Sequence, residues 1–258
     1  MEPIPLSTRV LDYVPQEMDH EELRKEVDEL RKKIKDVACY YHTEPVDETT
    51  ANVDKLLDML SGADASDLVN CLYRSGIEMR RIFMRVYIAK VLWARVDPRG
   101  DAETTLLPVD VVRCYQALTN RNNDSPPVLD YWRAMTASAL ANRCPRDRLA
   151  EEGDLRADNI KRTVADLLDA LKPFQREGIT RLGLEELVTR FAVLGFKIFS
   201  EVNPIEVIWP RFPPSKFVPA LKQYRLDDGR RLMTIQEATG IYPEYHPPWY
   251  PGSGVVSR

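Results

Sequence analysis

Leu184-Glu-Glu-Leu-Val-Thr-Arg-Phe-Ala-Val-Leu-Gly-Phe-Lys-Ile-Phe-Ser-Glu-Val202 decides the fold. Leu187, Val188, Phe191, Leu194, Phe196, Ile198 and Phe199 point in nearly every direction around a 3.6-residue helix. Only a thin polar line remains, through Glu186, Arg190, Lys197 and Glu201. A helix this apolar belongs at the centre of a helical bundle.

Working outward, a second stretch has the same character. Asp64 or Ser66 opens a long helix reaching about Val96, with Leu68, Leu72, Met79, Phe83, Val86, Tyr87, Val91, Leu92 and Trp93 distributed widely around it. Gly76 marks either a close crossing or a break into two shorter helices. The polar stripe of this stretch runs through Arg74, Glu78, Arg81 and Arg85. Guanidinium groups grip anions bidentately, so Arg74, Arg81 and Arg85 are candidate anion-binding residues between helices. Internal ion pairing with carboxylates such as Glu78 is the competing expectation.

Shorter helices fill the rest of the core: one over Thr50–Leu60, one after Pro108, one carrying Leu129, Trp132 and Met135, and one with Ile160, Val164, Leu167, Leu168 and Leu171. Asn122-Asn-Asp-Ser-Pro-Pro127 is a linker, and Asp97-Pro-Arg-Gly-Asp101 is a loop. Before the core, Asp19 caps a helix to about Tyr41 whose Leu23, Val27, Leu30 and Ile34 repeat by four and three. Glu21/Lys25, Asp28/Lys32 and Glu29/Lys33 stand at i, i+4 for pairing within that helix. The seam serves either a partner, as a self-associating coil, or the chain's own core, as an arm packed upon it.

Nine of the 19 prolines fall after Asn203, which forbids long helices there. Asp228-Gly229 between semi-apolar runs predicts a small hairpin. The tail, Tyr242-Pro-Glu-Tyr-His-Pro-Pro-Trp-Tyr250, contains Pro-Pro-x-Tyr and resembles the ligands of WW domains. That resemblance implies a partner gripping Pro247, Pro248 and Tyr250. The alternative is a strap in which the aromatic residues pack on the helices. The expected organisation is thus all-α: an N-terminal amphipathic arm (1–48), a single multi-helix bundle (49–202) and a C-terminal Pro/aromatic meander packed on it (203–258).

With 40 acidic and 36 basic residues the net charge is −4, which argues against a nucleic acid as main partner. No apolar run approaches the roughly 20 residues that span a bilayer, and no secretory leader is visible, so cytoplasm or nucleus is expected. Cys39, Cys71, Cys114 and Cys144 lack metal or redox spacing and are expected as reduced core thiols. The three histidines, His20, His42 and His246, are scattered. Asp166 and Asp169 stand at helical spacing, and a solvated face accounts for them better than a metal does. No phosphate-binding loop is present. No catalytic residue, metal or cofactor is nominated.

Ile77-Glu-Met-Arg-Arg-Ile-Phe, Val91-Leu-Trp-Ala-Arg-Val-Asp-Pro, Thr105-Leu-Leu-Pro and Leu194-Gly-Phe-Lys-Ile-Phe, with Trp209 downstream, resemble uncharacterised helical proteins of filamentous fungi. The resemblance spans roughly residues 50 to 235 and implies a shared fold but no activity. The expected function is protein–protein interaction or scaffolding, with a protein partner or a second copy of the chain. A small-molecule or anion-binding protein, or an enzyme with an arginine-lined pocket, is the first alternative. A WW-binding adaptor is the second.

Overall fold

A computed structural model describes residues 19–41, 49–60, 65–121, 126–174, 181–201, 205–208, 216–224, 231–236 and 239–240. The protein is mostly helical. Its helices are α1 (His20–Cys39), α2 (Thr50–Asp58), α3 (Ala65–Arg74), α4 (Ile77–Ala94), α5 (Val109–Arg121), α6 (Pro126–Ala139), α7 (Ala157–Ala170) and α8 (Arg181–Phe199). The strands are β1 (Ile205–Ile208), β2 (Lys216–Val218), β3 (Ala220–Tyr224), β4 (Arg231–Gln236) and β5 (Thr239–Gly240). Among the described residues no helix is long and apolar enough to cross a membrane.

The stretch at 184–202 forms α8, the wall shared by two hydrophobic clusters. Leu187, Val188, Phe191 and Leu194 join the main core with α1, α4 and α7. Phe196 and Phe199 turn into a second cluster with Leu107, Val111 and Val112 of the α5 region and Ala137 of α6. Gly195 lies between them because no side chain fits there. A Cβ on Gly195 would stand 2.4 Å from Val96 Cγ1, so the Val96 side chain, just beyond α4, lies directly on the α8 backbone.

The N-terminal seam is internal. Leu23, Val27, Leu30 and Ile34 are all but inaccessible, at 0–3% exposure, and α1 packs on α4 and α8. The interaction expected of these four residues is therefore made within the chain, and no partner reaches them while α1 is docked. The polar line of α8 explains the docking. Lys197 Nζ lies 2.7 Å from Glu26 Oε1 and 3.1 Å from Glu22 Oε1, Arg190 is 3.3 Å from Glu29, and Glu186 pairs with Lys33. Residue numbers rise along α1 as they fall along α8, which is an antiparallel ladder of charges. Glu29 and Lys33, spaced for pairing along one helix, pair instead across two. Within α1 the pairs are Arg24–Glu21 and Arg31–Asp28, at i, i+3.

The long helix expected over 66–96 is broken at Ser75-Gly76. Arg80, 4% exposed, holds the break: its Nε donates to Leu72 O (2.8 Å) and its Nη2 to Ser75 O (2.9 Å) and Tyr73 O (3.2 Å). A fixed cation on the last carbonyls of α3 satisfies acceptors that a terminating helix leaves unpaired. Arg156, wholly buried, works similarly on a loop. It is clamped by Asp154, donates to Pro145 O and Arg148 O, and lies 5.3 Å over the Phe196 ring. Burial acts to raise the Asp154 pKa, but the hydrogen bonds from Arg156 and from the Ala150 and Arg156 amides together hold it below its ordinary value.

The cysteines divide. Cys144 is buried and its thiol is pushed up to about 12 by desolvation, and Cys71 is half-buried and pushed up to about 11. Cys39 and Cys114 are exposed, against the expectation of four core thiols. Beyond α8 the chain is not an irregular meander alone. β1, β3 and β4 form an antiparallel sheet in the order β1-β3-β4, and β2 pairs with β5. β3 and β4 flank the Asp228-Gly229 position, and the turn itself lies outside the described residues. Leu221 of β3 is fully buried in the main core, with Ile205 and Val207 of β1 packed against it.

Two expected outcomes follow from these contacts. Gly195→Ala should cost about 1–3 kcal/mol of stability in urea unfolding, because Val96 and the backbone must separate. Lys197→Met should cost about 1–3 kcal/mol at neutral pH, since Glu22 and Glu26 lose their partner but remain partly hydrated. Burial lowers the Lys197 pKa, yet the hydrogen bonds to Glu26 and Glu22 outweigh it and leave the value above the ordinary 10.5. The lysine's contribution is thus complete below 10.5 and is lost as pH rises through the higher folded value. The gap between wild type and Lys197→Met should close in that alkaline range.

Candidate functional site

The arginine stripe does not assemble as the spacing implies. Arg74 sits on α3, and the break at Ser75-Gly76 interrupts the helical phase that would align it with Arg81 and Arg85 on α4. Arg81 lies 3.8 Å from Glu78, at the exposed surface. Arg85 is half-buried, and its Nε, like that of Arg81, has no acceptor among the described residues. None of the three lines the cavity along the α1–α8 seam or the cleft between the Val96–Arg99 loop, α5, α6 and β1. Asp166 and Asp169 have protein partners: Asp166 takes 3.1 Å from Arg95 Nη2, and Asp169 lies 2.7 Å from Lys55. Among the described residues no group of three or more histidine, cysteine, aspartate or glutamate side chains is placed to hold a metal ion. Pro247, Pro248 and Tyr250 lie outside the described residues.

One cavity, of about 330 Å³, runs along the α1–α8 seam beside Asp147 and Arg148. Its charges already face one another: Glu29 meets Arg190, Glu26 and Asp147 meet Lys197, and Arg148 meets Glu151. It is a gap in the ion ladder.

The other cavity is built differently. It is a half-open cleft of about 310 Å³ where five segments converge: the Val96–Arg99 loop, α5, α6, the end of α8, and β1. That volume is at the small end of the roughly 300–1,000 Å³ of ligand pockets. Each wall has a local cause. In the loop, Asp97 accepts from the Arg99 backbone amide at 2.9 Å and from Arg99 Nε and Nη2 at 3.0 Å each, so the Asp-Pro-Arg-Gly turn holds itself rigid. Gln116 of α5 donates to Pro98 O at 3.3 Å and ties that turn down. Tyr115, one residue earlier, sets its ring edge-on to Phe199 at 6.3 Å.

On α6, Arg133 is 6% exposed. It donates through Nη1 to Phe199 O (3.0 Å) and through Nη2 to Glu201 O (2.9 Å), ending α8 as Arg80 ends α3. The same guanidinium holds Asp130, with Nε 3.2 Å and Nη2 3.0 Å from Oδ1. Asp130 is only 14% exposed. Burial raises its pKa above the ordinary 3.8, and the charge and hydrogen bond of Arg133 only partly oppose that. Burial likewise raises the Tyr115 pKa, with Arg133 again opposing. Glu206 of β1 closes the rim, exposed and acting on Arg99 only through space. The floor is apolar, with Ile198, Phe199 and Ile205.

None of these cleft residues stood out as functional in the sequence. Tyr115 reads as one more apolar position on α5, and Asp130 and Arg133 as an ordinary i, i+3 pair. The one local signal is the Asp97-Pro-Arg-Gly turn. Comparison with protein-family models, curated proteins and solved structures returns no match to this chain.

The pH behaviour of Asp130 is checkable. A raised folded pKa contributes stability below 3.8 that is lost as pH rises through the folded value. The stability deficit of Asp130→Asn should therefore narrow as pH rises across that interval in denaturant melts. Carboxyl carbon NMR should show Asp130 titrating above 3.8.

Proposed function

We propose that this chain is a protein–protein interaction or scaffold protein, without catalytic activity, that recognises its partner at the cleft between the Val96–Arg99 loop, α5, α6 and β1. The observation that carries the reading is the make-up of that cleft. An apolar floor is surrounded by rigidly held polar groups, and the rigidity comes from Arg99 and Arg133, each locked to an aspartate. Recognition sites have this form, because preorganised groups lose little entropy on binding. The exposed face of α6 supports the same reading. Tyr131 and Met135, at i, i+4 on α6, are 45% and 44% exposed. They supply the apolar and aromatic area that interfaces favour.

The experiment is site-specific photo-crosslinking in native cell extract, with a benzophenone amino acid placed at Tyr131. A control carries it at Tyr40, at the α1 end remote from the Lys197 clasp and 54% exposed. A discrete protein adduct is expected at Tyr131 and not at Tyr40. Equal labelling at both positions, or none at Tyr131, rejects the reading.

A further inference from the structure

The charges of the cleft define what it accepts. Arg99 is bound to Asp97 and Arg133 to Asp130, so each cation is neutralised by its own aspartate. Glu206 forms no ion pair among the described residues, and the lining therefore carries one net negative charge. The geometry leaves acceptors open as well. Both contacts from Arg133 fall on Asp130 Oδ1, so among the described residues Oδ2 has no recorded partner, and Tyr115 also lines the cleft. Beneath them the floor of Ile198, Phe199 and Ile205 is aliphatic and aromatic.

An anion fits this poorly, because Arg133 faces backbone carbonyls and Arg99 is held bidentately. A neutral apolar group fits poorly too, because covering Glu206 without a counter-charge desolvates a carboxylate for nothing in return. A cation on an apolar stem satisfies every wall: its methylenes lie on the floor and its head meets Glu206, Asp130 Oδ2 and Tyr115.

We propose that the cleft receives a lysine or arginine side chain presented by a partner protein. This rests on the reading of the cleft as a recognition site and names the chemistry recognised there. Small cleft volume matches one inserted side chain rather than a folded element.

The test is an amide NMR titration of the full chain with three probes: acetyl-Gly-Lys-Gly-amide, its norleucine counterpart, and n-butylammonium chloride. The lysine peptide should shift the signals of Val96–Arg99 and Ile205–Glu206 in a saturable way that weakens with added salt. The norleucine peptide should bind at least about tenfold more weakly, and Glu206→Gln should weaken the lysine peptide about threefold to tenfold. Glu206 is exposed on an edge strand, so the variant should keep the wild-type spectrum elsewhere. Equal binding of the norleucine peptide, or no effect of Glu206→Gln, overturns the cation assignment. Binding of butylammonium without the peptide overturns a protein source. If a partner still crosslinks at Tyr131 with unchanged yield in Glu206→Gln, the interaction reading stands and this inference falls.

Discussion

The buried ammonium of Lys197 is the constraint on which the arrangement of the helices depends. A lysine at 3% exposure must be met by carboxylates, and the two nearest belong to α1, with Asp147 farther off at 3.6 Å. Glu22 and Glu26 thereby fix both the direction and the register of α1 along α8, and the Glu29–Arg190 and Lys33–Glu186 pairs repeat that register further along. Hydrophobic burial of Leu23, Val27, Leu30 and Ile34 supplies the attraction, but it is non-directional and tolerates sliding. The charge ladder does not tolerate it, because a shift by one turn would set Glu29 against Glu186 or Lys33 against Arg190.

Buried guanidinium groups perform a related task at the helix ends. Arg80 closes α3, Arg133 closes α8, and Arg156 gathers the loop that leads into α7. In each case a planar, permanently charged group with several donors satisfies carbonyls that would otherwise be unpaired away from water. The cleft is a by-product of one such cap. Arg133 must sit under the last turn of α8, and Asp130 follows it inward as its counter-charge. Asp130 therefore has its titration shifted by burial, and among the described residues its recorded contacts with Arg133 fall on Oδ1. A structural requirement of α8 thus places a carboxylate in the wall of the cleft.

Much of this was legible locally. The nearly all-round apolar pattern at 184–202 marks α8 as central, and the four-three repeat from Leu23 to Ile34 marks α1 as amphipathic. Gly76 carries a break as one of its two readings. What the repeat could not say is whether its seam meets another chain or its own, because a heptad pattern describes a face and not its partner. The arginine stripe misled for a related reason. Steps of four and three align residues only while one helix continues, and Arg80, outside the stripe, holds the interruption that separates Arg74 from Arg81. The cleft residues were illegible, since they come from five segments and each has an ordinary local role.

Read locally, the chain specifies the helical class, the apolar central stretches at 66–96 and 184–202, the capped amphipathic helix at the start and the change in chemistry after Asn203. These follow from periodicity and backbone preference, which act over a few residues. Packing settles that the seam is internal, that Glu29 and Lys33 pair across helices, that β1, β3 and β4 form a sheet against the core, and that Asp130, Tyr115 and Glu206 share a cleft. Those outcomes turn on which distant charges and carbonyls must be satisfied together once water is excluded, a condition set only when the helices have packed.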